Sequence, residues 1–363
     1  MFSKLSSSAL YRAAALVLIT GAAVYLMILG KSIIIPLAFA AFAAVVLAPL
    51  CQYLENKGIH RSIAAFLCLL LAILVSTGVT IFFTLEMSTL ANGVETFENN
   101  LNNMASDVAT FLGTQLSHTE LTQLSTFQEL MSFLLEDTQG ALGKVLVIVA
   151  SSFVFILFLS AFIVMFLIYR KGIREFAISL FQDDEKSMRH LLLKIEQVVR
   201  NYLIGIFQVI VILAVCNCLA LWLLGVPNPI FFGIFAALLN IVPFIGPLVG
   251  SLVPAMFAWV ISGSIMSAVW IIIYFIVIQS LESYAITPNI VGNKVNINPM
   301  FTLLAIFIGN LIWGVPGMIL FIPLTAVLKQ IFDEVAGLRP YAHLLGALNK
   351  DKAETQDATT ASS

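Results

Sequence analysis

The sequence predicts an all-α fold: a polytopic α-helical membrane protein with two re-entrant helical hairpins and an extracytoplasmic amphipathic helical insert. The 363 residues are 60% hydrophobic and only 10% charged, whereas a soluble domain carries about 25% charged residues. Apolar runs long enough to cross a bilayer recur along the chain. Two further runs, 230–262 and 299–329, are too long for one upright crossing of about 20 residues and too short for two. Together these features indicate a membrane protein with interrupted helices.

The first three predicted spans make up the segment 1–86 and cover residues 13–30, 32–50 and 62–85. The first of them resembles a secretory signal because basic residues precede it. Its apolar stretch is longer than the roughly 7–15 residues of a signal core, and more spans follow it. We therefore expect it to remain in the mature protein.

The segment 87–143 differs in character because it contains seven acidic residues and no Lys or Arg. Apolar residues recur in it at spacings of three and four, which predicts two amphipathic helices outside the membrane. These helices could pack on each other and cap the spans, or they could pair between subunits. In the second alternative the protein is a homo-oligomer, and the sequence does not specify the number of subunits.

The fourth predicted span, 145–169, lies in the segment 144–170 and is followed by Lys and Arg residues. Because basic residues collect in cytoplasmic loops near span ends, the N-terminus, the link 52–61 and the region after residue 169 are expected inside. The segment 171–201 is predicted to be a cytoplasmic amphipathic helix that can lie at the inner surface.

The segment 202–335 is the predicted transport core, and 336–363 is a cytoplasmic tail whose end is expected to be disordered. The two broken runs, interrupted at 240–247 and 309–317, cannot be continuous helices because proline removes an amide donor and clashes with the preceding turn. Unpaired backbone at membrane depth is tolerated only in protein or beside a wet cavity. The residues that break or shape these hairpins are Pro243, Gly246, Pro247, Gly250, Gly314, Pro316 and Gly317.

Counting complete spans from the cytoplasmic N-terminus predicts that the first hairpin enters the membrane from outside and the second from inside. This is the pattern of inverted-repeat transporters around a midplane site. Both termini are then cytoplasmic. The correspondence between the two runs lies in the position of the breaks and not in residue identity. The glycines near each break could act as hinges, so we expect the hairpin bundle to move against the first four spans and to expose the site alternately.

Three motifs in this core resemble the signature of the autoinducer-2 exporter family of bacterial inner-membrane permeases. One runs through 240–255 with prolines and glycines at fixed positions, one through 279–292 and one from 298 to 324. The outer insert fits as well, so the resemblance covers nearly the whole chain. It implies a transporter in the bacterial inner membrane. Members are described as exporters of the quorum-sensing signal autoinducer-2, and some as cation/proton exchangers.

Glu282 is the first candidate for a working residue because a carboxyl group in an apolar span suits a proton carrier. Gln279 lies one turn earlier on a similar face. Asn240 and Asn310 accompany the two breaks and could bind a polar, uncharged ligand, while Gln208 is a polar residue in the predicted fifth span. Each has a plain alternative: Glu282 could face headgroups, the asparagines could cap helices, and Gln208 could bond to a neighbouring helix.

Other classes of function are disfavoured by the sequence. It contains no His-Glu-x-x-His or Gly-x-Ser-x-Gly motif, so we expect no enzyme activity, no metal site and no cofactor. No basic patch suggests a nucleic acid, and the expected partners are a small polar solute and the lipid bilayer. The four cysteines are expected to be packing residues. A membrane scaffold or sensor that oligomerises through the outer helices is the rival that the sequence leaves open.

Overall fold

The protein is described here from a computed structural model, which describes residues 7–91, 138–180, 185–292 and 297–346. Within these ranges every named element is a helix. Most of the insert 87–143 lies outside the described residues, so its predicted helices remain a prediction. The helices are α1 (Ser7–Leu29), α2 (Lys31–Asn56), α3 (Arg61–Ala91), α4 (Thr138–Ser179), α5 (Glu185–Leu223), α6 (Pro229–Leu239), α7 (Ile245–Ser262), α8 (Ile265–Leu281), α9 (Pro299–Trp313), α10 (Val315–Glu334) and α11 (Arg339–Leu345).

Seven helices of the described ranges are long and apolar enough to cross a membrane. Large apolar side chains on their surfaces are exposed, as for Leu223 of α5 (77%) and Leu74 of α3 (60%). In water such a surface would be an aggregation hazard, whereas in a bilayer it faces lipid at no cost. The chain is therefore a multi-pass helical membrane protein. The helices that meet this criterion of length and composition are α2, residues Arg61–Glu86 of α3, Val154–Ser179 of α4, α5, α7, Ile265–Gly292 and α10; α7 and α10 are each one arm of a predicted hairpin.

The chain divides into two compact units. Unit 1 contains residues 1–68, 158–207 and 287–363, and unit 2 contains residues 69–157 and 208–286. The predicted first hairpin, 230–262, falls in unit 2, while the predicted second hairpin, 299–329, falls in unit 1.

In unit 2, the first broken run forms two helices, α6 and α7, that fold back on each other, and α7 then packs against α8. Phenylalanines fill the space beside α6: Phe83 of α3 packs edge-on against Phe231, and Phe232 packs against Phe257 of α7. At the start of α6, Asn228 adopts a left-handed conformation (φ 52°) and donates a hydrogen bond of 2.8 Å to Glu86. These contacts fix the position of the first hairpin.

In unit 1, the second broken run also folds back on itself as α9 and α10. Gly309 and Gly317 face each other so closely that a Cβ on either one would overlap the backbone of the other. The indole of Trp313 is buried and donates a 3.0 Å hydrogen bond to the carbonyl of Met27 in α1. The hairpin is therefore held to the N-terminal helix by a polar contact at its tip.

The cytoplasmic helix predicted for 171–201 is distributed over two helices in the structure. Helix α4 continues past Arg170 to Ser179, and α5 contains both the amphipathic residues and the predicted fifth span without a break. No proline or glycine lies between residues 185 and 204, so nothing in the sequence ends that helix. Ion pairs of Arg174 with Glu196 and of Lys194 with Glu334 connect this part of α5 to α4 and α10.

Candidate functional site

The interruption of the first hairpin is shorter than the sequence predicts. Helix α6 ends at Leu239, the chain turns through residues 240–244, and α7 begins at Ile245. Pro243 lies in the turn, where its missing amide hydrogen costs nothing. Phe244 has a φ of 65°, a conformation that a bulky residue rarely adopts. Such strain at the tip of an interrupted helix persists only when the surroundings enforce it, and it is common at functional sites.

The two arms of this hairpin approach each other through glycines. A Cβ on Gly246 would overlap the carbonyl group of Leu239, and a Cβ on Gly250 would lie 3.1 Å from both Cα and Cβ of Ala236. Glycine is therefore required at position 246 for the close packing of α6 on α7, whereas at position 250 a methyl group would fit after a shift of a few tenths of an ångström. Gly246 and Pro247, which the sequence placed in the break, belong to the first turn of α7.

Three side-chain amides converge on one small cavity within unit 2, which we call the amide cavity. They come from Asn217 near the C-terminal end of α5, Asn240 directly after α6 and Gln279 near the end of α8. Pro247 and Gly250 of α7 also line the cavity, and apolar side chains such as Phe275 and Ile278 complete its wall. The cavity has a volume of about 10 Å³, which is close to the space that one water molecule needs. In this conformation the site is closed to any larger solute.

Asn217 is the most deeply buried polar residue of this group, with 3% of its surface exposed. The hydroxyl of Tyr274 in α8 donates a 2.8 Å hydrogen bond to its Oδ1 atom. Among the described residues, its Nδ2 group makes no hydrogen bond. Because Asn217 lines the cavity, this group can donate a hydrogen bond to a water or a solute there.

Gln279 connects the amide cavity to the predicted proton carrier. Its Nε2 group donates a 2.8 Å hydrogen bond to Oε2 of Glu282, and the Ser283 hydroxyl donates to the same oxygen at 3.2 Å. Glu282 is half-buried and begins a π-helical turn, Glu282–Ile286, at the end of α8. π-Helical turns inside helices are frequent at functional sites. A carboxylate thus lies one hydrogen bond away from a residue that lines the cavity.

The structure brings together some of the predicted site residues and separates others. Asn240, Gln279, Pro247 and Gly250 line the amide cavity, and Glu282 is bonded to one of them. Gln208 is exposed on α5 and does not line this cavity. Asn217 lines the cavity as well but is not one of the predicted site residues. In the sequence it is an amide within an apolar span, a pattern that also fits a hydrogen bond to a neighbouring helix, and the bond from Tyr274 of α8 is such a contact.

The remaining predicted residues lie at the tip of the second hairpin, in unit 1. Asn310 does not begin the break but lies within α9, where its carbonyl accepts a 2.8 Å hydrogen bond from the amide of Gly314. Its side chain is exposed. Gly314 alone separates α9 from α10 and has a φ of 66°. Pro316 occupies the first turn of α10, and Gly317 makes the close contact with α9.

Within the described ranges, no group of three or more His, Cys, Asp or Glu side chains could hold a metal ion. The amide cavity instead offers amide oxygens, which accept hydrogen bonds, and amide nitrogens, which donate them. Such a lining suits a small polar molecule without a net charge.

Comparison with known proteins gives a match over residues 14–337 to a family described as "AI-2E family transporter". The chain is 23% identical to "Putative transport protein YrrI" of Bacillus subtilis (strain 168), over 85% of this chain and 88% of that protein. It is also 23% identical to "Putative transport protein YhhT" of Escherichia coli (strain K12), over 87% and 89%. A similar protein of Mycobacterium tuberculosis, "Putative transport protein MT0215", is 24% identical over 90% of both chains.

Proposed function

Because the chain belongs to the AI-2E family of transporters, we propose that it moves a small polar solute across the membrane by way of the amide cavity. The observation that carries this proposal is the convergence of Asn217, Asn240 and Gln279 on one cavity within an apolar bundle. Polar groups inside a membrane protein are costly and tend to mark substrate pathways. The solute class follows from the lining, which donates and accepts hydrogen bonds without a formal charge.

The proposed cargo is autoinducer-2 or a related signal molecule, and the proposed direction is export. The support for this cargo is the family resemblance and the uncharged polar lining. A panel of labelled solutes in vesicles of defined orientation tests it, with and without a proton gradient. Selective movement of an uncharged polar solute supports the proposal. Movement of cations in exchange for protons would instead favour an antiporter, and the absence of any flux would favour a scaffold or sensor.

Alternating access is the proposed mechanism, since the amide cavity as described holds about one water molecule. The two hairpins are proposed to be re-entrant, and their tips carry the positions to be probed. Single cysteines replace Phe244 and Val315, which are exposed at the tips (56% and 42%). We expect their reaction with a membrane-impermeant thiol reagent to change in opposite senses, from opposite faces, when solute is added. Unchanged reactivity at both positions would contradict movement.

Proton coupling is proposed to run through Glu282, which is hydrogen-bonded to Gln279 at the edge of the cavity. Glu282→Gln preserves the shape of the side chain but cannot ionise, so transport should continue and lose its dependence on external pH. Ser280→Ala is the matched control, because Ser280 is exposed on the same turn and bonds only locally, to the carbonyl of Ile276. An unaltered pH profile of the Glu282→Gln variant would remove Glu282 from the coupling mechanism.

The proposed location is the bacterial inner membrane with both termini in the cytoplasm, and the proposed assembly is a homo-oligomer through the insert 87–143. Orientation is supported by the excess of Lys and Arg near the predicted cytoplasmic ends of the spans. Fusion of a reporter to each terminus tests the orientation. Deletion of residues 92–137, followed by measurement of the molar mass in detergent, tests the role of the insert in assembly.

A further inference from the structure

Unit 1 contains a second and larger cavity, which lies between α2, α4 and α5 and has a volume of about 260 Å³. Most of its wall is apolar: Ala44 and Ala48 of α2 face Leu167 of α4 and Ile195 of α5. The two alanines lie four residues apart, hence on one face of α2, and their small side chains leave the space open. The volume is close to the lower end of about 300–1,000 Å³ that small-molecule sites occupy.

One end of this cavity is polar and carries two ion pairs. Arg170 and Arg174 of α4 both line it, one helical turn apart, together with Glu196 of α5. Arg170 donates a hydrogen bond to Glu55, and Arg174 donates one to Glu196. The Arg170–Glu55 pair is the more enclosed, with side-chain exposures of 16% and 18%, against 43% and 27% for the outer pair. The two positive and two negative charges sum to zero.

This arrangement selects among molecules that have an apolar tail. Each guanidinium group presents five N–H donors, and the hydrogen bonds within the described residues use at most two of them. A phosphate group can therefore bind both arginines at the mouth of the cavity. A purely anionic headgroup would add a charge that Glu55 and Glu196 repel. A headgroup that also carries a primary ammonium avoids this repulsion, because the ammonium can donate to Glu196.

We propose that this cavity binds a zwitterionic phospholipid, with an acyl chain between α2, α4 and α5 and its phosphate and primary ammonium at the Arg170–Arg174 end. Phosphatidylethanolamine has this chemistry. Phosphatidylcholine has the same net charge but a quaternary ammonium, which cannot donate a hydrogen bond. The site is independent of the proposed solute pathway, since its evidence is the shape and charge of one cavity in unit 1.

The test uses the full chain in nanodiscs that contain a trace of phosphatidylethanolamine with a photoreactive diazirine in its acyl chain. After illumination, peptide mass spectrometry maps the labelled residues. We expect labels on the cavity-facing residues of α2, α4 and α5. Ala44→Trp places a bulky side chain in the cavity and should reduce that labelling about tenfold, which corresponds to about 1.4 kcal/mol of binding free energy. Val46→Trp, at a position that is 40% exposed on the same helix, should leave labelling unchanged.

The headgroup is tested with a pair of double variants. Arg174→Gln with Glu196→Gln removes one ion pair of the cavity without changing the net charge. Lys194→Gln with Glu334→Gln removes an ion pair of similar exposure (40% and 23%) that does not line the cavity. The wild-type chain and the control pair should retain phosphatidylethanolamine about tenfold better than phosphatidylcholine, and the cavity pair should lose this preference.

Three outcomes would overturn the proposal. The first is equal labelling by phosphatidylethanolamine, phosphatidylcholine and the anionic phosphatidylglycerol, because it would show that the charged end does not recognise a headgroup. The second is labelling that Ala44→Trp does not reduce. The third is cross-linking to a second copy of the chain through a photoreactive amino acid placed at Ala48, because it would identify the cavity as a contact between subunits.

Discussion

Alanine substitution of the glycines in the first hairpin is expected to produce a graded loss of stability and of solute binding. The grading follows from the space that the structure leaves for a methyl group. At Gly246 the new Cβ would overlap the carbonyl of Leu239 and lie 2.9 Å from the Cα atom of Asn240. At Gly250 the nearest atoms, Cα and Cβ of Ala236, lie at 3.1 Å. At Gly78 of α3 no atom lies within 4 Å.

The magnitudes follow from two opposing effects. Replacing glycine by alanine within a helix is favourable by roughly 0.8–1 kcal/mol, and this gain is available in full at Gly78. Overpacking costs about 1–3 kcal/mol, occasionally more. At Gly250, where α6 must move by a few tenths of an ångström, the two effects should nearly cancel. At Gly246 the obstacle is backbone rather than a flexible side chain, so we expect a net loss of about 2 kcal/mol or more.

The assay measures thermal unfolding of each variant in lipid nanodiscs together with the affinity for transported solute. The expected order of stability is Gly78→Ala, then Gly250→Ala, then Gly246→Ala. Because Gly246→Ala pushes directly on the backbone of Asn240, it should also weaken solute binding beyond its effect on stability. If Gly246→Ala unfolds at the same temperature as Gly78→Ala and binds solute normally, the close packing of α6 on α7 is not what fixes the amide cavity.

Two further substitutions test polar contacts. Trp313→Phe removes the hydrogen bond to the carbonyl of Met27 and should lower the free energy of unfolding by about 1–3 kcal/mol. The control Trp222→Phe, at a position that is 66% exposed, should have little effect. Equal effects of the two substitutions on thermal unfolding would contradict a role for the Trp313–Met27 contact. Tyr274→Phe leaves Oδ1 of Asn217 without its hydrogen-bond donor and should lower the free energy of unfolding by a similar amount. Adding Asn217→Leu to the Tyr274→Phe variant should recover part of this stability and abolish solute binding. Retained solute binding in that double variant would remove Asn217 from the site.

The helical character and the two interruptions were predictable because their causes are local. Proline lacks an amide hydrogen and glycine has no Cβ, so the interruptions at Pro243 and Gly314 follow from the sequence alone. The exact extent was not predictable in this way. The sequence assigned Gly309 and Gly317 to the second break, but the structure uses them for the contact between the two arms. A glycine that bends the chain and one that permits close approach look alike until the partner helix is known.

The sequence predicts that side-chain amides form the candidate site, but it does not predict which of them line the cavity. Asn240 and Gln279 stood out because amides are rare in apolar segments, and both line the cavity. Asn217 carries the same signal as Gln208, yet only Asn217 is buried at the cavity. The difference arises from which face of α5 packs against α6 and α8, a property of the tertiary structure that helical periodicity alone does not determine.

The lengths of the hairpin arms limit how deeply the tips can lie. Helix α10 has 20 residues and at 1.5 Å per residue is about 30 Å long, enough to cross the hydrocarbon core. Its first charged residue is Lys329, which is buried and bonded to Asp333. If the core ends near Lys329, only the part from Val315 to Leu328, about 21 Å, is embedded.

Under that condition the tip at Gly314 would lie inside the core without a complete crossing, as the proposed re-entrant hairpin requires. The first hairpin has arms of 11 and 18 residues, about 16 and 27 Å, so its tip depth depends on which arm starts at the interface. A spin label at Phe244→Cys, compared with one at Val315→Cys, measures both depths through collisions with oxygen and with a water-soluble nickel complex. We expect oxygen to dominate at both tips. If collisions with the nickel complex dominate at a tip, that tip lies at the depth of the headgroups. This result would exclude re-entrance for that hairpin.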